Sequence, residues 1–128
     1  MRLLLDTCVL LWLGRGDTTM PQTVRQALSR VDAEALVSAA TAWEIAIKHG
    51  RGRLPLPVPL ERFLPMLRER YGLQSLPIDE ASAVHVAKLP PLHADPFDRM
   101  LVSQAIVHGL TIVTPDPLVT QYPARTMW

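Results

Sequence analysis

Three short apolar runs, Leu3-Leu4-Leu5, "ALVSA" at 35–39 and "LTIVT" at 110–114, are separated by longer stretches with helical spacing. That alternation constrains the fold more than any other feature. A short run without polar alternation suits a strand buried on both faces, and such strands alternating with helices form a parallel sheet covered on both sides. "LQSLPI" at 73–78 is a fourth strand candidate, and a second apolar stretch, Val9 to Leu13, follows the first.

The helical stretches carry their own punctuation. "MPQTVRQALSRV" places Val24, Ala27, Leu28 and Val31 at helical spacing behind Pro21. "ATAWEIAIKHGRG" is closed by Gly50 and Gly52, and "LERFLPMLRERYG" is bent or started at Pro65 and ended by Gly72. "DEASAVHVAKL" has an acidic start, and a helix over 95–108 precedes Gly109. The expected architecture is α/β, with a mostly parallel central sheet of four to five strands, in one domain spanning 1–128.

Composition removes several alternatives. With 48% hydrophobic and 20% charged residues, the 128-residue chain has the makings of a core and is not of the disordered class. The formal charge of +1 argues neither for nor against nucleic acid, so only the placement of charges can decide. A single cysteine, Cys8, excludes an internal disulfide and suits a reducing compartment. Asp6 interrupts the apolar N-terminus, where a central Asp costs about 2.5–3.5 kcal/mol on membrane insertion. The expectation is a cytoplasmic protein without a membrane span.

In open parallel sheets, sites form outside the carboxyl ends of the strands. Asp6 directly follows the first apolar run, and Asp116 follows "TIVTP". Each acid alone reads equally as a turn starter. Glu44 sits in an otherwise apolar helix, four residues after Ala40 and three before Ile47. A carboxylate on that face snorkels at an edge, is held by a cation, or pairs with Lys48, worth about 0.2–0.5 kcal/mol if exposed.

In "HADPFDRMLVSQA", Asp95 is a sound N-cap with Pro96 at the first helical position. Asp98 is different. It shares a stripe with Leu101, Val102, Ala105 and Ile106, so it heads the core-facing side of its helix. If these four acids converge they raise one another's pKa, and a divalent cation is the usual relief. An all-oxygen set without clustered His or Cys suits Mg²⁺ or Mn²⁺ rather than zinc.

"LLLDTCVLLWL", "SAATAWEIAIKHGRGRL", "DPFDRMLVSQA" and "LTIVTPD" together resemble the PIN-domain ribonucleases, specifically the toxin subunits of VapBC toxin–antitoxin modules. The four motifs run in the expected order over nearly the whole chain. The resemblance implies a three-layer α/β/α sandwich, with Asp6, Glu44, Asp98 and the more variable Asp116 as catalytic metal ligands and Asp95 as a supporting acid. It implies Mg²⁺- or Mn²⁺-dependent endonuclease cleavage of RNA, leaving a 5′-phosphate and a 3′-hydroxyl. It also implies a homodimer neutralised by a cognate antitoxin protein within a larger complex. Two positions depart from the pattern. Cys8 stands where relatives often carry His, and a thiol is a poor ligand for a hard cation. Pro115 separates Thr114 from Asp116.

An RNA substrate needs cations. Lys48, Arg51 and Arg53 lie in the densest basic run, "KHGRGR", although cations at a helix C-terminus also complement its dipole. Arg99 either touches RNA or pairs with an acid. Trp12, Trp43 and Trp128 read as core or interface aromatics. His93 and His49 fall near the acids, whereas His85 and His108 read as structural. "LPLPVPLE" is a rigid loop or an antitoxin landing strip.

Rival activities lack their residues. An aspartate-nucleophile phosphatase wants a second Asp where Cys8 stands, and neither G-x-x-x-x-G-K-[ST] nor G-x-G-x-x-G is present. A receiver-like module wants paired early acids and a Lys after a late strand. The remaining alternative is a catalytically silent interaction module on the same fold.

Overall fold

The computed structural model describes residues 1–17 and 19–128. Among them are five strands, β1 (Arg2–Leu5), β2 (Glu34–Ser38), β3 (Gln74–Leu76), β4 (Thr111–Val113) and β5 (Thr126–Met127). The α-helices are α1 (Thr7–Arg15), α2 (Gln22–Ser29), α3 (Ala39–Gly50), α4 (Leu60–Tyr71), α5 (Glu80–His85), α6 (Pro96–His108) and α7 (Pro117–Thr120), with a 3₁₀ turn at Val86–Lys88. The sheet order is β3-β2-β1-β4-β5 and every pairing is parallel.

The unalternating apolar runs are explained by burial on both faces. Leu3, Leu5, Ala35, Val37 and Val113 pack against Val9, Leu10 and Leu13 of α1, Val24 of α2, and Phe63 and Leu67 of α4. Leu4, Leu36, Leu76 and Ile112 project the other way, onto Leu101, Val102 and Ala105 of α6 and Val119 beside them. The period-two side-chain alternation of a strand therefore divides one run of leucines between two cores.

The direction in which strands are added across the sheet reverses at β1. From β1 the chain steps outward to β2 and β3; it then crosses to β4 on the other flank of β1 and steps outward again to β5. The gap outside the carboxyl ends of β1 and β4 is thus a topological switch point, where an open α/β sheet offers a crevice.

The structure corrects one local expectation, at Val31, and settles three other stretches. Val9–Leu13 belongs to helix α1, started by Asp6, whose side chain accepts from the Thr7 amide. Val31 lies beyond α2 and is fully exposed, because Arg30 turns extended and pairs with Asp32. Pro65 does not start α4 but lies inside it, on the exposed face. The tail supplies an edge strand, β5, which continues the sheet through Thr114 N–H to Met127 O at 3.1 Å.

Candidate active site

Each acid reaches the switch point from a different element. Asp6 follows β1 and caps α1, Glu44 lies one turn into α3, Asp95 caps α6 and Asp98 sits in its first turn, and Asp116 caps α7. Capping fixes three of them locally: Asp6 Oδ1 accepts from Thr7 N, Asp95 Oδ1 from Phe97 N at 2.9 Å and Asp98 N at 3.1 Å, and Asp116 Oδ1 from Leu118 N at 2.9 Å. The result is a cleft of about 230 Å³ lined by Asp6, Glu44, Asp95, Asp98 and Asp116, with Thr7, Cys8, Leu11 and Lys48.

Two threonines set the buried acids. Thr114, at the end of β4, donates through its hydroxyl to Asp6 Oδ2 at 2.6 Å, bridging the gap between β1 and β4. Thr7 donates through its hydroxyl to Glu44 Oε1 at 2.7 Å, and its own amide donates to Asp6 Oδ1 at 2.7 Å. Glu44 is only 5% exposed, and its other oxygen receives the Lys48 ammonium. The one-turn ion pair and the cleft location are therefore both realised. Asp98 Oδ2 lies 3.1 Å from His93 Nε2.

Charge in the cleft is one-sided, five carboxylates against one ammonium. Burial pushes the Asp98 carboxyl up to about 6, the His93 hydrogen bond opposes this, and Asp95, Asp6 and Glu44 add to the rise. Burial likewise raises Asp6 above the usual carboxylate range, against the donors Thr114 and Thr7, with Asp116 adding repulsion. Lys48 is raised, first by its bond to Glu44. Burial, followed by the Asp6 charge, pushes the Cys8 thiol up to about 12, so at neutral pH it is a protonated thiol.

Among the described residues, no three His, Cys, Asp or Glu side chains are gathered closely enough to grip an ion as they stand. The oxygens are turned to Thr114, Thr7, Lys48 and His93 instead. The donor chemistry nevertheless fits a hard divalent cation. The acids supply carboxylate oxygens, the excess negative charge is unrelieved, and the neighbouring hydroxyls keep the side chains ordered.

The cations divide. Lys48 alone among them lines the cleft, while Arg51 caps α3 and Arg53 follows it, both exposed. Arg99 corrects the expectation of an acid partner among the described residues. Its guanidinium donates to Pro90 O at 2.9 Å, Tyr122 Oη at 2.9 Å and Val86 O at 3.3 Å, all inside the protein. His49 turns to Leu54 O, and His108 binds Asp79. Trp43 is 58% exposed rather than core, with its ring edge-on to Phe97 at 5.1 Å, and Trp12 tilts against Trp128 at 5.4 Å.

Sequence reasoning passed over Thr7, Thr114 and Tyr122. A threonine next to Asp6 in "DT" and another, two residues before Asp116, in "TPD" were the available signal for the threonines. Nothing local marked Tyr122. Ser103 and Gln104 are also buried outside the expected apolar stripe of α6, and Gln104 Oε1 accepts from the Ser38 hydroxyl at 2.6 Å.

Comparison with known proteins gives a consistent picture. The family model described as PIN domain matches residues 3–123. Ribonuclease VapC22 of Mycobacterium tuberculosis is 30% identical over 114 residues, covering 88% of this chain and 85% of that protein. Ribonuclease VapC16 of the same organism is 44% identical over 50 residues, 39% of this chain and 36% of that protein. In structure, the chain resembles one from VapBC2 of Rickettsia felis, solved bound to a promoter DNA fragment, with TM-score 0.75 at 14% identity over 99% of this chain and 98% of that one. A chain of VapBC-1 from nontypeable Haemophilus influenzae gives TM-score 0.72 at 18% identity, covering 99% and 97%.

Proposed function

Since this chain belongs to the PIN-domain family, we propose that it is an endoribonuclease dependent on Mg²⁺ or Mn²⁺. We read it as the toxin half of a toxin–antitoxin pair. It works in the cytoplasm as a single domain over 1–128, as a homodimer, and is silenced by a cognate antitoxin protein in a larger complex. The ribonuclease reading is supported by the two mycobacterial relatives, and the antitoxin by the VapBC assemblies in which similar folds occur.

The observation that carries the proposal is the convergence of five carboxylates and one lysine on a single cleft at the carboxyl ends of β1 and β4. Asp6, Glu44 and Asp98 would hold the cation, with Asp116 and Asp95 flanking it. When bound, the ion lowers the pKa of water and stabilises the departing oxygen of a phosphodiester. Thr114 and Thr7 hold the Asp6 and Glu44 carboxylates at the cleft, and loading an ion would turn oxygens from these partners toward it. Lys48 stands ready to move from Glu44 to a substrate phosphate, and Arg51 and Arg53 extend the positive rim.

RNA incubated with Mg²⁺, Mn²⁺ or chelator tests this directly. The wild-type chain should cut only with a divalent ion, and Glu44→Gln should not cut. Cleavage in chelator, or by Glu44→Gln at the wild-type rate, overturns the assignment. Failure of the wild type to cut with either ion favours a catalytically silent interaction module.

A further inference from the structure

Asp98 is gripped from outside its own helix. Arg99 Nη1 donates to Tyr122 Oη at 2.9 Å, Tyr122 Oη lies 2.7 Å from His93 Nδ1, and His93 Nε2 lies 3.1 Å from Asp98 Oδ2. The chain is sheltered: Tyr122 is 3% exposed, and the side chains of His93 and Asp98 are 11% and 13% exposed.

Donor rules give the chain a direction. A guanidinium can only donate, so Arg99 occupies one side of the phenol oxygen. The phenol hydrogen then goes to Nδ1, the nearer acceptor, since the His93 carbonyl is 3.5 Å away. With Nδ1 accepting, the ring hydrogen belongs on Nε2 and is donated to Asp98. Every hydrogen in the series points at the carboxylate. Arg99 is itself anchored on the carbonyls of Pro90 and Val86.

We propose that His93, Tyr122 and Arg99 are positioning residues for the cation site. They pin Asp98 Oδ2 and leave for the ion the other oxygen, Oδ1, which no donor reaches among the described residues. This rests on the reading above, in which Asp98 helps to hold a divalent cation. Hydrogen-bonded support of this kind holds a ligand in its binding orientation, and its removal typically costs 10–100-fold in metal affinity. The tail thereby acquires a role: Tyr122, just past α7, carries order from the far end of the chain into the first turn of α6.

The test is Mn²⁺ binding by the full chain, followed by electron paramagnetic resonance, with thermal unfolding in chelator as the control for folding. Tyr122→Phe removes a single oxygen atom, and His93→Leu removes the whole donor. Each should weaken Mn²⁺ binding by on the order of tenfold. His93→Gln, whose amide can still donate near the Nε2 position, should recover most of that loss. Asp98→Asn is the reference for losing the ligand. Wild-type affinity in Tyr122→Phe and His93→Leu, with Asp98→Asn weakened, overturns the positioning role while leaving the cation site intact. So does a Gln variant as weak as the Leu variant. If the wild type binds no Mn²⁺, or Asp98→Asn binds as well as wild type, the cation reading fails and this inference goes with it. A purely structural network lowers the melting temperature in chelator and leaves the affinity of the folded protein unchanged.

Discussion

Helix α6 carries an aspartate–histidine pair at each end, and the two behave oppositely. At its start, Asp98 meets His93 at 3.1 Å; at its end, His108 meets Asp79 at 2.9 Å. The Asp98 carboxyl is pushed up to about 6, whereas the Asp79 carboxyl is held down at about 2, first by the Ser82 hydroxyl and then by His108. Helix dipoles do not explain the difference, since Asp98 in the first turn of α6 and Asp79 at the N-cap of α5 are both favoured as anions. What decides is surroundings. The Asp98 side chain is 13% exposed among other acids, and that of Asp79 is 37% exposed among donors. A histidine beside an aspartate therefore does not by itself say which way the acid moves. One pair joins α6 to the start of α5, and the other lies in a cleft where five carboxylates crowd together.

The largest expected effect separates the two ends by activity. Asp6→Asn and Asp98→Asn should reduce divalent-dependent RNA cleavage to the level of a no-enzyme control, while Asp79→Asn should leave it at wild type. A gel assay with matched protein concentrations checks this, and equal losses at both ends would erase the distinction.

The next effect is on stability and has opposite signs. Asp98 ionises less readily folded than unfolded, so the folded chain binds more protons between the ordinary 3.8 and about 6. Its contribution to stability therefore falls as pH rises through that window and stays low above it. In chelator at pH 7, Asp98→Asn should stabilise the protein by on the order of 2 kcal/mol, read by urea denaturation. Asp79 ionises more readily folded, so its contribution is present above 3.8 and is lost as pH falls through about 2. Asp79→Asn should lower the melting temperature at pH 7 and flatten the acid limb below pH 4.

Close packing on the other face of the sheet supplies a control without charge. A Cβ on Gly14 of α1 would approach the buried Phe63 ring of α4 to 2.7 Å. Gly14→Ala should destabilise by about 1–3 kcal/mol, with Mn²⁺ affinity unchanged in the fraction that remains folded. Smallest of all, Arg51→Gln with Arg53→Gln should flatten the salt dependence of RNA binding by about 0.7 in the logarithmic slope per lost contact. An unchanged slope assigns both to the helix end.

The positions of the acids along the chain were legible because each follows from local rules. Asp6 ends an apolar run, Asp95 precedes Pro96, and Asp98 heads a helical stripe. Three of the five strands announced themselves by short apolar runs, and β3 by the mixed stretch "LQSLPI". β5 did not, because "RTMW" has no buried run of its own and becomes a strand only beside β4. Val31 misled for a related reason, since its spacing fitted a helix that ends at Ser29.

By itself the sequence determined which residues cap, which alternate and which stripe they share, for those properties depend on neighbours within a turn or two. Only the tertiary structure decided which stripes meet. Thr114 reaches Asp6 across 108 positions, Thr7 reaches Glu44 across 37, and Tyr122 reaches His93 across 29. Those hydrogen bonds arise from the order of strands in the sheet and the packing of its two cores, which no local pattern encodes.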